Sequence, residues 1–175
     1  MKKIYHFWAL SILALAIIFI LPGCKSASDQ AVENAIENAT NTDAEVDASE
    51  NKVKVNVNGA SWETGDSVSL PANFPDDIHV TEGTLKVAIA NDTAQGFTVS
   101  LETSKSVSAV KAEYLEEFPN DGWTITGSAD IQSSSSVMAT KGKRSATVAI
   151  SPNEDKSKTI VSINTYTDTS PEKPE

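Results

Sequence analysis

Between residues 52 and 166 apolar and polar positions mostly alternate with a period of two, and the period changes once. Val53, Val55 and Val57 alternate in KVKVNVNG, where Asn58-Gly59 is a turn signal, and Val68 and Leu70 supply a short return strand. Pro71, Pro75 and Asp76-Asp77 mark a loop. Leu85, Val87 and Ile89 read as one face of a strand, and Phe97, Val99 and Leu101 as one face of the next. In SKSVSAVKAEYLEEFP the spacing becomes helical. Val107, Val110, Tyr114, Leu115 and Phe118 gather in one stripe, while Glu113, Glu116 and Glu117 fall on the other side. Ser104 or Ser106 can cap this helix, and Pro119 ends it before the Asn120-Asp121-Gly122 turn. Strands then return at Trp123 and Ile125, at Ser133 to Lys141, at Ala146, Val148 and Ile150, and at Thr159 to Tyr166. Gly142-Lys143 forms a two-residue turn of the II′ kind.

This order predicts an α+β fold: a single antiparallel sheet of about six to eight strands with one amphipathic helix, at about 105–118, packed on one face. Trp123 is expected beside Phe118 in the core.

The ends of the chain read differently. Lys2 and Lys3 precede an apolar run from Phe7 to Leu21. Its helical length, about 22 Å, falls short of a bilayer core of about 30 Å and suits the apolar region of a secretory signal. The run ends in Leu21-Pro22-Gly23-Cys24, which carries the only cysteine of the 175 residues. These four residues resemble the lipobox of bacterial lipoproteins, although Pro22 departs from the commoner small or hydroxylated residue. The resemblance implies a signal peptide at 1–23 that is removed, and diacylglycerol on the Cys24 thiol, with the new amine acylated. A thiolate is the nucleophile such an alkylation needs, and several acyl chains anchor a protein stably where one does not. An uncleaved signal anchor with an incidental cysteine is the competing reading. Lys25 after the cysteine implies, by the same resemblance, the outer membrane in a Gram-negative cell; in a Gram-positive cell the location is the outer face of the plasma membrane.

Residues 24–51 read as the lipidated cysteine and a disordered acidic tether: Ala, Asn, Ser, Asp and Glu with no aromatic residue. Val32, Ala35, Ile36 and Ala39 fall at helical spacing within it. Such a tether spans about 30 Å when flexible and about 90 Å when stretched. The domain is expected at 52–166 and a disordered tail at 167–175. All 24 Asp and Glu, but only 12 of the 14 Lys and Arg, follow the cleavage point, which leaves the mature chain near −12. Anionic lipid and nucleic acid repel such a chain, so the membrane is reached through the acyl chains alone and nucleic acid is not a partner.

LPANFPDDI, a helix bearing a tyrosine, DGW and ATKGKRSATVAI together resemble a small extracytoplasmic domain of bacterial lipoproteins, over about residues 70–166. These motifs are structural in type and imply no activity.

Candidate chemistry is sparse. After processing the chain keeps one histidine, His79, and no free thiol, so a metal centre of His and Cys cannot be built within one chain. HExxH, CxxC, GxSxG and a phosphate-cradling glycine loop do not occur. A Ser-His-Asp site would have to use His79 with Asp76 or Asp77; a solvated turn histidine is the plainer reading. Asp76, Asp77 and Glu82, or Asn153, Glu154 and Asp155, could offer oxygens to calcium, but lack the spacing that wraps them round one ion. Lys141, Lys143 and Arg144 form the one basic cluster, either guarding a sheet edge or docking an anionic envelope polymer or acidic partner. Trp62 in NGASWETGD is either a lid over the sheet or an exposed anchor for a partner. No catalytic residue and no cofactor are expected. The function expected is a membrane-anchored lipoprotein of the cell envelope whose domain is a non-catalytic binding or assembly module with an envelope protein partner. The alternative is a small-solute or envelope-polymer binding lipoprotein with a pocket between helix and sheet, lined by Tyr114, Trp123 and Tyr166.

Overall fold

The computed structural model describes residues 44–49, 52–57, 59–91 and 95–169, with side chains from Lys52 onward. The strands are β1 (Ala44–Ser49), β2 (Lys52–Val57), β3 (Ala60–Gly65), β4 (Thr84–Asn91), β5 (Gly96–Thr103), β6 (Thr124–Ile131), β7 (Ser134–Lys141), β8 (Arg144–Pro152) and β9 (Thr159–Thr167); the helix α1 is Val107–Asn120. They make one antiparallel nine-stranded sheet in the order β1-β2-β3-β4-β5-β9-β8-β7-β6. Among the described residues the α+β fold with one helix on one face is therefore as the sequence predicts, with one strand more than the expected upper number.

That strand lies inside the stretch expected to be tether: β1 pairs with β2 from Ala44↔Val57 to Ser49↔Lys52, so the sheet begins before residue 52. The signal segment, Cys24, residues 25–43 and the tail from 170 lie outside the described residues. The return strand is β3, not Val68 and Leu70; it carries Trp62 at its centre, opposite Val55 and Ile89. The valines of β2 thus pair with a strand that has a single large apolar residue, which is why alternation alone pointed too far downstream. Leu85 does not share a face with Val87 and Ile89. A bulge between Leu85 and Val87 reverses the alternation, and places Leu85 with Leu101.

The core lies between α1 and the facing side of β4, β5, β9, β8 and β7. Val137 pairs with Val148, Val148 with Ile163 and Ile163 with Val99, an apolar row that crosses four strands. Val110, Tyr114 and Phe118, every fourth residue of α1, are fully buried against this side. Ser106 caps the helix: its hydroxyl accepts from the Ala109 amide at 3.2 Å. Pro119 stays inside the last turn rather than ending the helix before it, and Trp123 N–H reaches back to the Phe118 carbonyl at 2.8 Å. The Phe118 and Trp123 rings then meet at 5.8 Å, as the sequence suggested. Leu115, expected in the buried stripe, is 37% exposed. The loop from Asp66 to Gly83 covers the rest of this face, with Phe74 set edge-on to Phe97 at 5.7 Å and Ile78 buried.

Candidate binding groove and its neighbours

The space between helix and sheet is filled. Tyr114 is fully buried between His79, at 5.4 Å, and Phe118, at 5.5 Å, and Trp123 is only 3% exposed. Tyr166 is exposed and its register puts it on the opposite face of the sheet. The three aromatic residues expected to line a common pocket are therefore not brought together. Burial pushes the Tyr114 phenol well above its usual value, and its hydroxyl is buried without a hydrogen-bond partner.

The basic cluster does not guard an edge. Its hairpin joins β7 to β8, both interior strands. Arg144 donates to both carboxylate oxygens of Asp77, one of them at 2.7 Å, and Lys141 Nζ adds a bond at 2.7 Å. Lys141 also donates to the Asp121 carbonyl at 2.7 Å, and the Trp123 indole donates to the Asp77 carbonyl at 2.7 Å. The guanidinium lies over the Trp123 ring at 5.0 Å. The Arg144 hydrogen bonds outweigh partial burial, with Lys141 adding to them, and hold the Asp77 carboxyl far below the usual carboxylate range. Two of the three basic residues are thus bound within the domain, and they clamp the 66–83 loop and the end of α1 to the sheet. Lys143 lies in the turn, where its carbonyl accepts from the Asp168 amide at 2.9 Å. Asp77 is likewise committed to this clamp, while Asn153 and Asp155 order their own turn by accepting from the Lys158 and Ser157 amides.

His79 meets no aspartate. Its Nε2 faces Glu113 at 2.6 Å, and the other Glu113 oxygen accepts from Lys105 at 2.7 Å and Thr81 at 3.0 Å. Burial pulls the Glu113 carboxyl up, but the bonds from Lys105, His79 and Thr81 outweigh it and hold it low. This network joins the loop to α1 across more than thirty positions of sequence, and among the described residues no hydroxyl is bonded to the histidine. It is a fastening of the fold. Trp62 sits mid-strand rather than in a turn. It lies in a row Val55–Trp62–Ile89 on the sheet face away from α1, partly buried, with its indole N–H buried and unpartnered.

A concave site lies elsewhere among the described residues. A groove of about 630 Å³ runs between the outer side of α1 and the β6–β7 hairpin. Val107, Ala112 and Leu115 give it an apolar wall, and Gln132 to Ser135 a rim of amide and hydroxyl groups. Lys111 donates to Asp130 across it at 2.7 Å, and the other Asp130 oxygen accepts from Ser135 at 2.6 Å. These bonds hold the Asp130 carboxyl below its usual value. The pair neutralises itself, so the groove offers hydroxyl, amide and aliphatic surface without net charge. Gln132 occupies the first turn position at φ 56, a left-handed conformation that disfavours a side chain. None of these residues was singled out from the sequence as a site; the misfit of Leu115, apolar yet turned outward, is the signal that points here.

A family model described as START domain-like covers residues 81–159, from the end of the 66–83 loop through β4, β5, α1, β6, β7 and β8 to the first residue of β9. No curated protein and no solved structure matches the chain.

Proposed function

We propose that this chain is an exported lipoprotein of the cell envelope, held to the membrane by acyl chains on Cys24, whose α+β domain is a non-catalytic binding or assembly module. The groove between α1 and the β6–β7 hairpin is its binding face. The observation that carries this reading is the contrast within the domain. His79, Lys141, Arg144 and Trp123 are bound by partners within the fold, whereas the groove keeps Leu115 and Gln132 exposed beside a rim of serines. The START domain-like match spans every element that builds it and supports a binding role for the domain.

The test is capture of partners by chemical crosslinking in cells from a tagged full-length chain, with and without Leu115→Lys. A discrete set of partners that vanishes with Leu115→Lys supports the groove as the face. Capture unaffected by that change removes it. Anchoring is tested apart: Cys24→Ser is expected to leave an unlipidated, uncleaved precursor, and processing identical to wild type would contradict the lipoprotein reading. A second reading, a small uncharged solute in the groove, draws on its volume, which falls within the usual range of ligand sites, about 300–1,000 Å³.

A further inference from the structure

Both hairpins of β7 have two-residue turns, and both use a positive φ at the first turn residue: Gly142 at 62 and Gln132 at 56. Glycine relieves that conformation at the first. At the second a glutamine holds it, at the rim of the groove and at the end of the sheet's outermost strand.

Beside it runs an open strand edge. Among the described residues nothing pairs with the outer side of β6. A two-residue hairpin hydrogen-bonds its closing pair, here Ile131 and Ser134. By alternation Ala129 and Gly127 also bond to β7, so Ser128 and Asp130 turn their N–H and C=O groups outward. Sheet edges are ordinarily blunted by charge or proline. The opposite edge, β1, carries Glu45 and Asp47. The β6 sequence TITGSADI has no proline, and its single charge, Asp130, is drawn aside by Lys111. A bulge between Ile125 and Gly127 shifts the register, and from Gly127 to Ile131 the pairing with β7 runs without interruption.

We propose that this stretch receives an extended polypeptide by strand addition: a partner segment hydrogen-bonds the main chain of Ser128 and Asp130 and lays small or aliphatic side chains into the groove against Ala112 and Leu115. A residue opposite Ser128 or Asp130 points to the same side of the sheet as they do, the side of α1. The groove carries no net charge of its own and the chain as a whole is at −10, so the segment is neutral or basic. Main-chain bonds supply affinity and the groove supplies selectivity. This deepens the binding role proposed above and rests on it.

The probe is the capped peptide Ac-Lys-Thr-Leu-Thr-Leu-Thr-Lys-NH2, added at up to millimolar concentration to the full-length chain in detergent and followed by amide hydrogen exchange. The expected result is slowed exchange at Ser128 and Asp130, with Gly127 and Ala129 unchanged. Affinity should fall by about tenfold or more in Ser128→Pro, which removes only an outward N–H, and equally when the peptide is N-methylated on alternate residues, a change that leaves the protein's fold untouched. No protection at Ser128 and Asp130, or binding indifferent to N-methylation, overturns strand addition. So does concentration-dependent dimerisation through β6, which would make the occupant a second copy. If strand addition fails while crosslinking in cells still depends on Leu115, the groove binds another kind of ligand and the binding reading survives. If both fail, it does not.

Discussion

The two hairpins that share β7 are built alike and have opposite fates. The β7–β8 hairpin turns on Gly142, and the residues flanking its turn, Lys141 and Arg144, converge on Asp77 from sixty-odd positions upstream. The β6–β7 hairpin turns on a strained Gln132, and its Asp130 reaches only as far as the Lys111 amine of the facing helix. At the first end every strong group is matched inside the fold, and conformational strain is absent from the turn. At the second the matching is loose and wet, the Asp130 side chain being 64% exposed, and strain is retained. Charge identity alone does not separate the two. The depth of the carboxylate does, because only a carboxylate sheltered from water gains enough from its partners to lock two elements together.

Deleting the clamp is expected to have the largest effect. Asp77→Ala leaves Arg144 and Lys141 without their common acceptor and frees the loop over the core, and should lower stability by about 2–3 kcal/mol in chemical denaturation. Next come the turns, with opposite signs. Gly142→Ala should destabilise by about 1 kcal/mol, since its φ of 62 is poor for any side chain, although the added methyl meets nothing. Gln132→Gly should stabilise by up to about 1 kcal/mol, a rise of roughly 3–5 °C in Tm. If Gln132→Gly lowers Tm instead, the strained-turn side of the comparison is broken.

Acid should then sharpen it. The Asp77 carboxyl is held low, so its contribution is present above the ordinary Asp value of 3.8 and is lost as pH falls below that value towards the folded one. The stability difference between wild type and Asp77→Asn should be constant near neutral pH and shrink in strong acid; a difference that stays constant throughout would mean the clamp is not ionic. Least of all, Lys111→Ala is expected to leave Tm nearly unchanged, because the Asp130 carboxylate it pairs with is 64% exposed.

Much of the fold was legible in the sequence, and the reasons divide by range. The hairpins after the helix and the helix itself were readable because their signals are local: period, turn residues, a serine cap. β1 and β3 were not, since AEVDAS and ASWETG each hold a single large apolar residue and become strands only by pairing with β2. Bulges at Leu85–Val87 and Ile125–Gly127 are invisible to a count of alternating positions, and the first sent Leu85 to the other face. The site fared worse. Lys141 and Arg144 look like a free patch until Asp77 arrives, and His79 looks idle until Glu113 does; both partners are remote in sequence. Leu115 was in plain sight but assigned to the core, because a stripe five residues wide does not say which edge of it the sheet will cover.

The most direct measurement is site-specific photocrosslinking in cells, with the reactive group placed at Leu115 and, in a separate chain, at Tyr166. Both side chains are exposed, one at the groove and one on the far face of the sheet. A discrete adduct from Leu115 with none from Tyr166 is the result predicted here. Equal labelling from both positions, or adducts from Tyr166 alone, would contradict the assignment of the helix–hairpin groove as the working face.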